Sequence, residues 1–200
     1  MTIRMTRKSR NRKLLRCDRG ATALEFAFIL PVFLTFILGT FDLAGIFFGT
    51  ALLEGGLREA ARYGITGYSS GGGISREQQI LDVLNAHGAG YVKITADELK
   101  TLVYKDFDMI GDPEPFVDAN GNSSYDTGES FTDLNCNGSW DADAGLNGAG
   151  SGGEVVLYTV EHEMQLITGY MASLIGQDGK YTLAASVAVR NEPYGGGSSC

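Results

Sequence analysis

Residues 26–41, FAFILPVFLTFILGTF, pass without one charged side chain. Asp42 interrupts the run, and LAGIFFGTALL carries the apolar character on to Leu53. A bilayer-spanning helix needs about 17–25 predominantly apolar residues. The uncharged core is slightly short for that, and residues 21–25 with part of 43–53 supply the rest. Glu25 and Asp42 then fall near opposite ends of the span. A cleaved secretory signal fits less well, because the run is long and no small-x-small site closes it.

The flanks orient this segment. Residues 1–20 hold eight basic side chains against one acid, Asp18, which leaves residues 21–200 at a net −15 of the overall −8. Loops rich in Lys and Arg stay on the cytoplasmic side, so the reading places residues 1–20 in the cytoplasm and the remainder outside. The exported part has no basic cluster and is not expected to bind nucleic acid. Cys17, Cys136 and Cys200 match no zinc spacing. If Cys17 belongs to a removed leader, a Cys136–Cys200 disulfide becomes possible outside the cytoplasm.

The helix is expected to outrun the membrane. LLEGGLREAARYG places Leu53, Leu57, Ala60 and Ala61 on one face, and Gly64 and Gly67 suit its end. Pro31 should kink it or loosen its hydrogen bonding. Gly45 and Gly49, four apart, permit close helix approach or are merely small residues in an apolar helix. GYSSGGG at 67–73 reads as a hinge. SREQQILDVLNAHG reads as a helix capped by Ser75, with Gln78 at the capping-box position and Gly88 as its stop. ELKTLVYKDFDMI, EVVLYTVEHEMQLI and KYTLAASVAVRNEP alternate like strands and are rich in β-branched residues.

The expected fold is therefore α+β. A long N-terminal membrane helix (21–66) follows a basic leader (1–20) and precedes a small antiparallel-sheet domain (74–194). A flexible tail (195–200) ends the chain.

Between the first two strands lies a Gly/Asp/Asn-rich insertion, 111–153. A loop of that length without internal order is rare in a compact domain. EPFVDANGNSSYD (114–126) laid over ESFTDLNCNGSWD (129–141) reveals a repeat, E-x-F-x-D-x-N-x-N-x-S-aromatic-D, at an offset of 15. Asp118, Asn120, Asn122, Ser124, Asp126 and Glu129 take positions 1, 3, 5, 7, 9 and 12 of a calcium loop, although Ser123 stands where a turn glycine is usual. The second unit offers Asp133, Asn135, Asn137 and Asp141; its twelfth position is Ala144, so Asp143 would have to substitute. Fourteen acids and no Lys or Arg lie between Lys105 and Lys180, so a cation would relieve self-repulsion. The expectation is Ca²⁺ bound by these loops, with Phe116, Phe131, Tyr125 and Trp140 packed between or beneath them. A solvated, ion-free loop is the plainer alternative.

Gly20-Ala21-Thr22-Ala23-Leu24-Glu25-Phe26, behind a basic leader and ahead of an apolar run, resembles the processing site of type IV pilin-like precursors. With LREAARYG at 57–64 and VRNEPY at 189–194, the chain resembles the TadE-like family of tight-adherence (Tad/Flp) pilus systems. Gly45 stands close to where members often carry a basic residue.

The resemblance implies cleavage after Gly20 by a membrane prepilin peptidase, baring the amine of Ala21. Glu25 becomes the fifth residue and Phe26 the sixth. In a packed assembly that carboxylate can meet the amino terminus of a neighbouring pilin-like subunit, since a buried charge is tolerable only when paired. The implied role is a minor pilin-like (pseudopilin) component, single-pass in a bacterial inner membrane, working with other pilus assembly proteins. An uncut, signal-anchored protein with a calcium-dependent binding or adhesin domain is the alternative. No nucleophile–base constellation, P-loop lysine or metalloprotease motif is present, and His87 and His162 stand alone, so enzymatic activity is not expected.

Overall fold

The computed structural model describes residues 20–66, 75–170 and 180–193. Its first element, α1 (Ala21–Ile65), is a single helix of 45 residues, about 68 Å long at 1.5 Å per residue. Pro31 lies inside it without ending it. The expected hinge, residues 67–73, lies outside the described residues, as do the basic leader up to Arg19 and the tail.

A second helix, α2 (Arg76–His87), starts where the sequence suggests. The Ser75 hydroxyl accepts the Gln78 backbone N–H at 3.2 Å. The box is only half made, because the Gln78 amide turns to Asp82 at 2.9 Å instead of back to the cap. Gly88 does close the helix, and glycine is required there: a Cβ would lie 2.1 Å from the Val92 carbonyl oxygen.

Four antiparallel strands form one sheet: β1 (Leu99–Tyr104), β2 (Leu146–Asn147), β3 (Val155–Gln165) and β4 (Lys180–Arg190), in the order β2-β1-β3-β4. β2 is the short strand that the sequence did not signal; two residues carry too little alternation to read. Val156, Tyr158 and Val160 from β3 and Leu183 from β4 meet Leu53, Leu57, Ala60 and Ala61 of α1 and Ile80 and Leu84 of α2, each at most 2% exposed.

This packing explains the glycines at 45 and 49. A Cβ on Gly45 would lie 2.9 Å from the Tyr91 hydroxyl and 3.0 Å from Ile167. One on Gly49 would lie 2.9 Å from Leu183 and 3.1 Å from the Met164 sulfur. The pair gives α1 its close seat on its own domain.

The chain's last described residues close the fold. The backbone N–H of Glu192 donates to the Ile65 carbonyl at 3.0 Å, so NEP at 191–193 is tied to the end of α1. Asn191, 2% exposed, donates to the carbonyls of Ala149 and Ser151, each at 3.1 Å.

Candidate functional site: a bare helix end, a buried aspartate and a doubled loop

The insertion is ordered by polar contacts, and its two units repeat each other bond for bond. In the first, Asp118 accepts the backbone N–H groups of Gly121 (2.7 Å), Asn122 (3.2 Å) and Ser123 (2.8 Å). In the second, Asp133 accepts those of Cys136 (2.6 Å), Asn137 (3.3 Å) and Gly138 (2.8 Å). The amides of Asn120 and Asn122 converge on Asp126, as those of Asn135 and Asn137 converge on Asp141. Ser124 and Ser139 each donate a backbone N–H to the asparagine two residues before. The left-handed backbone positions also correspond: Gly121 with Cys136, and Ser123 with Gly138, all between φ +61° and +79°. Ser123 thus adopts the conformation that favours glycine there.

The closing glutamates are exchanged. Glu129 accepts the N–H groups of Ala119 (2.8 Å) and Asp126 (3.0 Å) and closes the first loop. Glu114, fully buried, accepts those of Leu134 (2.7 Å), Asn135 (3.3 Å) and Asp141 (3.2 Å) and closes the second. The second loop is therefore served by a residue upstream of the first. Asp143, the substitute suggested by position, accepts instead from the Tyr104 hydroxyl (2.8 Å) and the Gly145 N–H (3.0 Å). Burial, with that hydrogen bond, pushes the Tyr104 phenol up to about 12.

The exchange is a local two-fold. Val117 N–H donates to the Ser130 carbonyl and Thr132 N–H to the Pro115 carbonyl, both at 2.8 Å, around a Phe116–Phe131 bridge. Tyr125 and Trp140 stack at 4.6 Å, with Phe116 edge-on to both and Phe131 edge-on to Tyr125. The four aromatic residues are a small core of the insertion's own. Backbone donors, that of Ser123 foremost, hold the Asp118 carboxyl below its ordinary range. Cys136 is disulfide-bonded; Cys17 and Cys200 lie outside the described residues, and so does the proposed pairing.

At the other extreme, the start of α1 is uncovered by the other described residues. Glu25 is exposed, Phe26 is 58% exposed, and a Cβ on Gly20 would have no atom within 4 Å. Exposed apolar side chains continue through Leu24, Phe28, Ile29, Val32 and Phe33. By length and composition this helix suffices to cross a membrane, and nearly all of its most apolar stretch is uncovered.

Asp42 differs. It is fully buried and accepts both the backbone N–H and the hydroxyl of Thr168, each at 2.7 Å. The pattern of the sequence marks Asp42 as an oddity in an apolar run, but nothing in it points to Thr168, 126 residues away.

Residues 20–62 match the family model described as TadE-like protein. Over this segment the chain is similar to that family. The match begins at the glycine of the suspected processing site and ends three residues before α1 does. The TadE-like segment therefore coincides with the membrane-length helix and its seat on the domain, while the sheet and the doubled loop lie outside it. No curated protein and no solved structure matches the chain. The LREAARYG stretch falls mostly within the matched segment, and through Ile65 it meets the C-terminal NEP stretch. Those two parts of the resemblance are thus one place in the fold.

Proposed function

We propose that the protein is a minor pilin-like, non-enzymatic component of a Tad pilus assembly system. A single apolar helix anchors it in the bacterial inner membrane, its basic leader is cytoplasmic, and prepilin peptidase cuts after Gly20. The TadE-like match on 20–62, opening at that glycine, carries the reading. The start of α1, which no other described residue covers, supports it, because a peptidase and neighbouring subunits both need access there. Glu25 then pairs with the amine bared on a neighbour and favours the correct stagger, since an unpaired charge in lipid costs several kcal/mol. Gly20→Arg should abolish maturation, leaving the chain at precursor mass in membranes; normal maturation would remove the case for this site.

Calcium belongs to the proposal as the stabiliser of the doubled loop. Asp118, Asn120, Asn122, Asp126 and Glu129 form one donor set, and Asp133, Asn135, Asn137, Asp141 and Glu114 the other. Carboxylates and side-chain amides are the ligands a hard cation takes. To hold the ion, the asparagine amides, whose nitrogens face Asp126 and Asp141, would turn to present oxygen. Among the described residues no three acidic side chains stand together as a ready metal cluster, so Ca²⁺ would have to draw each set of carboxylates in and neutralise them as it binds. A ligand that binds only the folded state raises its melting temperature. Millimolar Ca²⁺ should do so, and the double variant Asp118→Ala/Asp133→Ala should erase the shift. Equal midpoints with Ca²⁺ and with chelator would refute this part alone.

A further inference from the structure

The sheet domain does not wait for the end of the apolar run before it docks. The Tyr170 hydroxyl lies 3.0 Å from that of Thr35, Thr168 holds Asp42, and Ile167 packs at Gly45. Residues 166–170 therefore run back along α1 to the level of residue 35. Among the described residues of the domain, none reaches residues 20–34, about 22 Å of helix.

A hydrocarbon core of about 30 Å takes about 20 helical residues. Counted from Glu25, it ends near residue 45. Keeping residues 166–170 in water would require it to end near residue 34 instead. In the lone chain, before any neighbour pairs with it, that would sink Glu25 about 16 Å, to the bilayer midplane, at a cost of several kcal/mol. Tilting the helix uses more residues per crossing and moves the boundary further toward the domain.

We infer that residues 166–170 are a second membrane-contacting element, seated in the acyl–headgroup region of the leaflet on the domain side. The inference rests on α1 being the anchor. The side chains suit that depth. Ile167 is 59% exposed, and on the stretch of α1 from residue 35 to residue 49 Phe36, Phe41, Leu43 and Phe48 are 45–71% exposed. Tyr170, and Tyr91 set edge-on to Phe48 at 5.2 Å, are of the kind that gathers at membrane interfaces. Thr168 gives Asp42 two hydrogen bonds where water is scarce, which makes a carboxylate at that level tolerable. From Phe26 to Leu53 α1 exposes no charge, so nothing on it opposes this depth.

The test uses the full chain in phosphatidylcholine–phosphatidylglycerol vesicles at high lipid-to-protein ratio, with acyl chains brominated near the glycerol. The native indole, Trp140, is the aqueous reference. Phe28→Trp reports the anchor and Ile167→Trp the proposed contact. Added emission should be quenched in both variants while that of Trp140 persists. Quenching in Phe28→Trp but not in Ile167→Trp overturns this inference and spares the anchor; quenching in neither overturns the anchor. Blue-shifted, unquenched emission from Ile167→Trp means that protein, such as a second copy, covers the site, and also overturns it. Acyl-chain carbene labelling of the unsubstituted chain provides a reading without mutation. Label on the peptide containing 166–170 is expected, and label confined to 20–34 contradicts it.

Discussion

The seat of α1 and the doubled loop are ordered by opposite means. Under α1, apolar side chains at helical and strand spacing are removed from water, and burial at about 25 cal/mol per Å² supplies the driving force. In the doubled loop the packed apolar side chains are chiefly four aromatic residues, and the chain is held by carboxylates and amides that accept or donate to nearby backbone groups. Burial is non-directional and tolerant of detail. Hydrogen-bonded carboxylates are specific, and removing one strands the donors it served. The two regions should therefore fail differently.

Leu57, 1% exposed, sits where both helices and the sheet meet. Leu57→Ala should cost about 2–5 kcal/mol, lowering the denaturation midpoint for all probes together. Separate transitions for sheet and helix signals would show that the core is not shared.

Glu114→Ala should come next, since it leaves three backbone N–H groups without their acceptor, at about 1–3 kcal/mol for each one that stays buried. The loss should be local. Amide exchange at Leu134, Asn135 and Asp141 should accelerate while that at Val156 and Val160 holds. Glu114→Gln, which keeps an acceptor oxygen, should do less. Acceleration centred on the first loop instead would break the exchanged pairing.

The smallest effect is pH dependence. Asp118 is held below its ordinary value of 3.8 by the loop's backbone donors. A depressed carboxyl contributes stability above its unfolded pKa and loses it as pH falls through the folded value. First-loop protection should therefore be intact at neutral pH and decline only below about pH 4. Loss beginning near pH 6 would point to another group. Tyr104, raised to about 12, gives the opposite limit: its contribution is full below about pH 10 and is lost as pH climbs toward the folded value.

The same contrast governs what could be read from the sequence. Helical periodicity exposed Leu53, Leu57, Ala60 and Ala61 as one face, and alternation exposed three of the four strands, because burial imprints a period. The repeat exposed the doubled loop and its aromatic residues. It also held a signal that positional matching to a calcium loop overrode: Glu114 and Glu129 are equivalent at the offset of 15, so the acid closing the second loop was present upstream all along. Linear counting looked downstream, to Asp143, and missed a two-fold that only the folded chain brings together. The Thr168–Asp42 contact left no trace of either kind. It depends on how far residues 166–170 descend along α1, and no local pattern encodes that.

The proposed role depends on the glycine at which the TadE-like match opens. The direct measurement is the intact mass and N-terminal sequence of the chain purified from bacterial membranes. A mature chain beginning at Ala21 is the predicted result. A chain that retains residues 1–20 would contradict it, and would leave an uncut anchor carrying an acidic, doubled-loop domain.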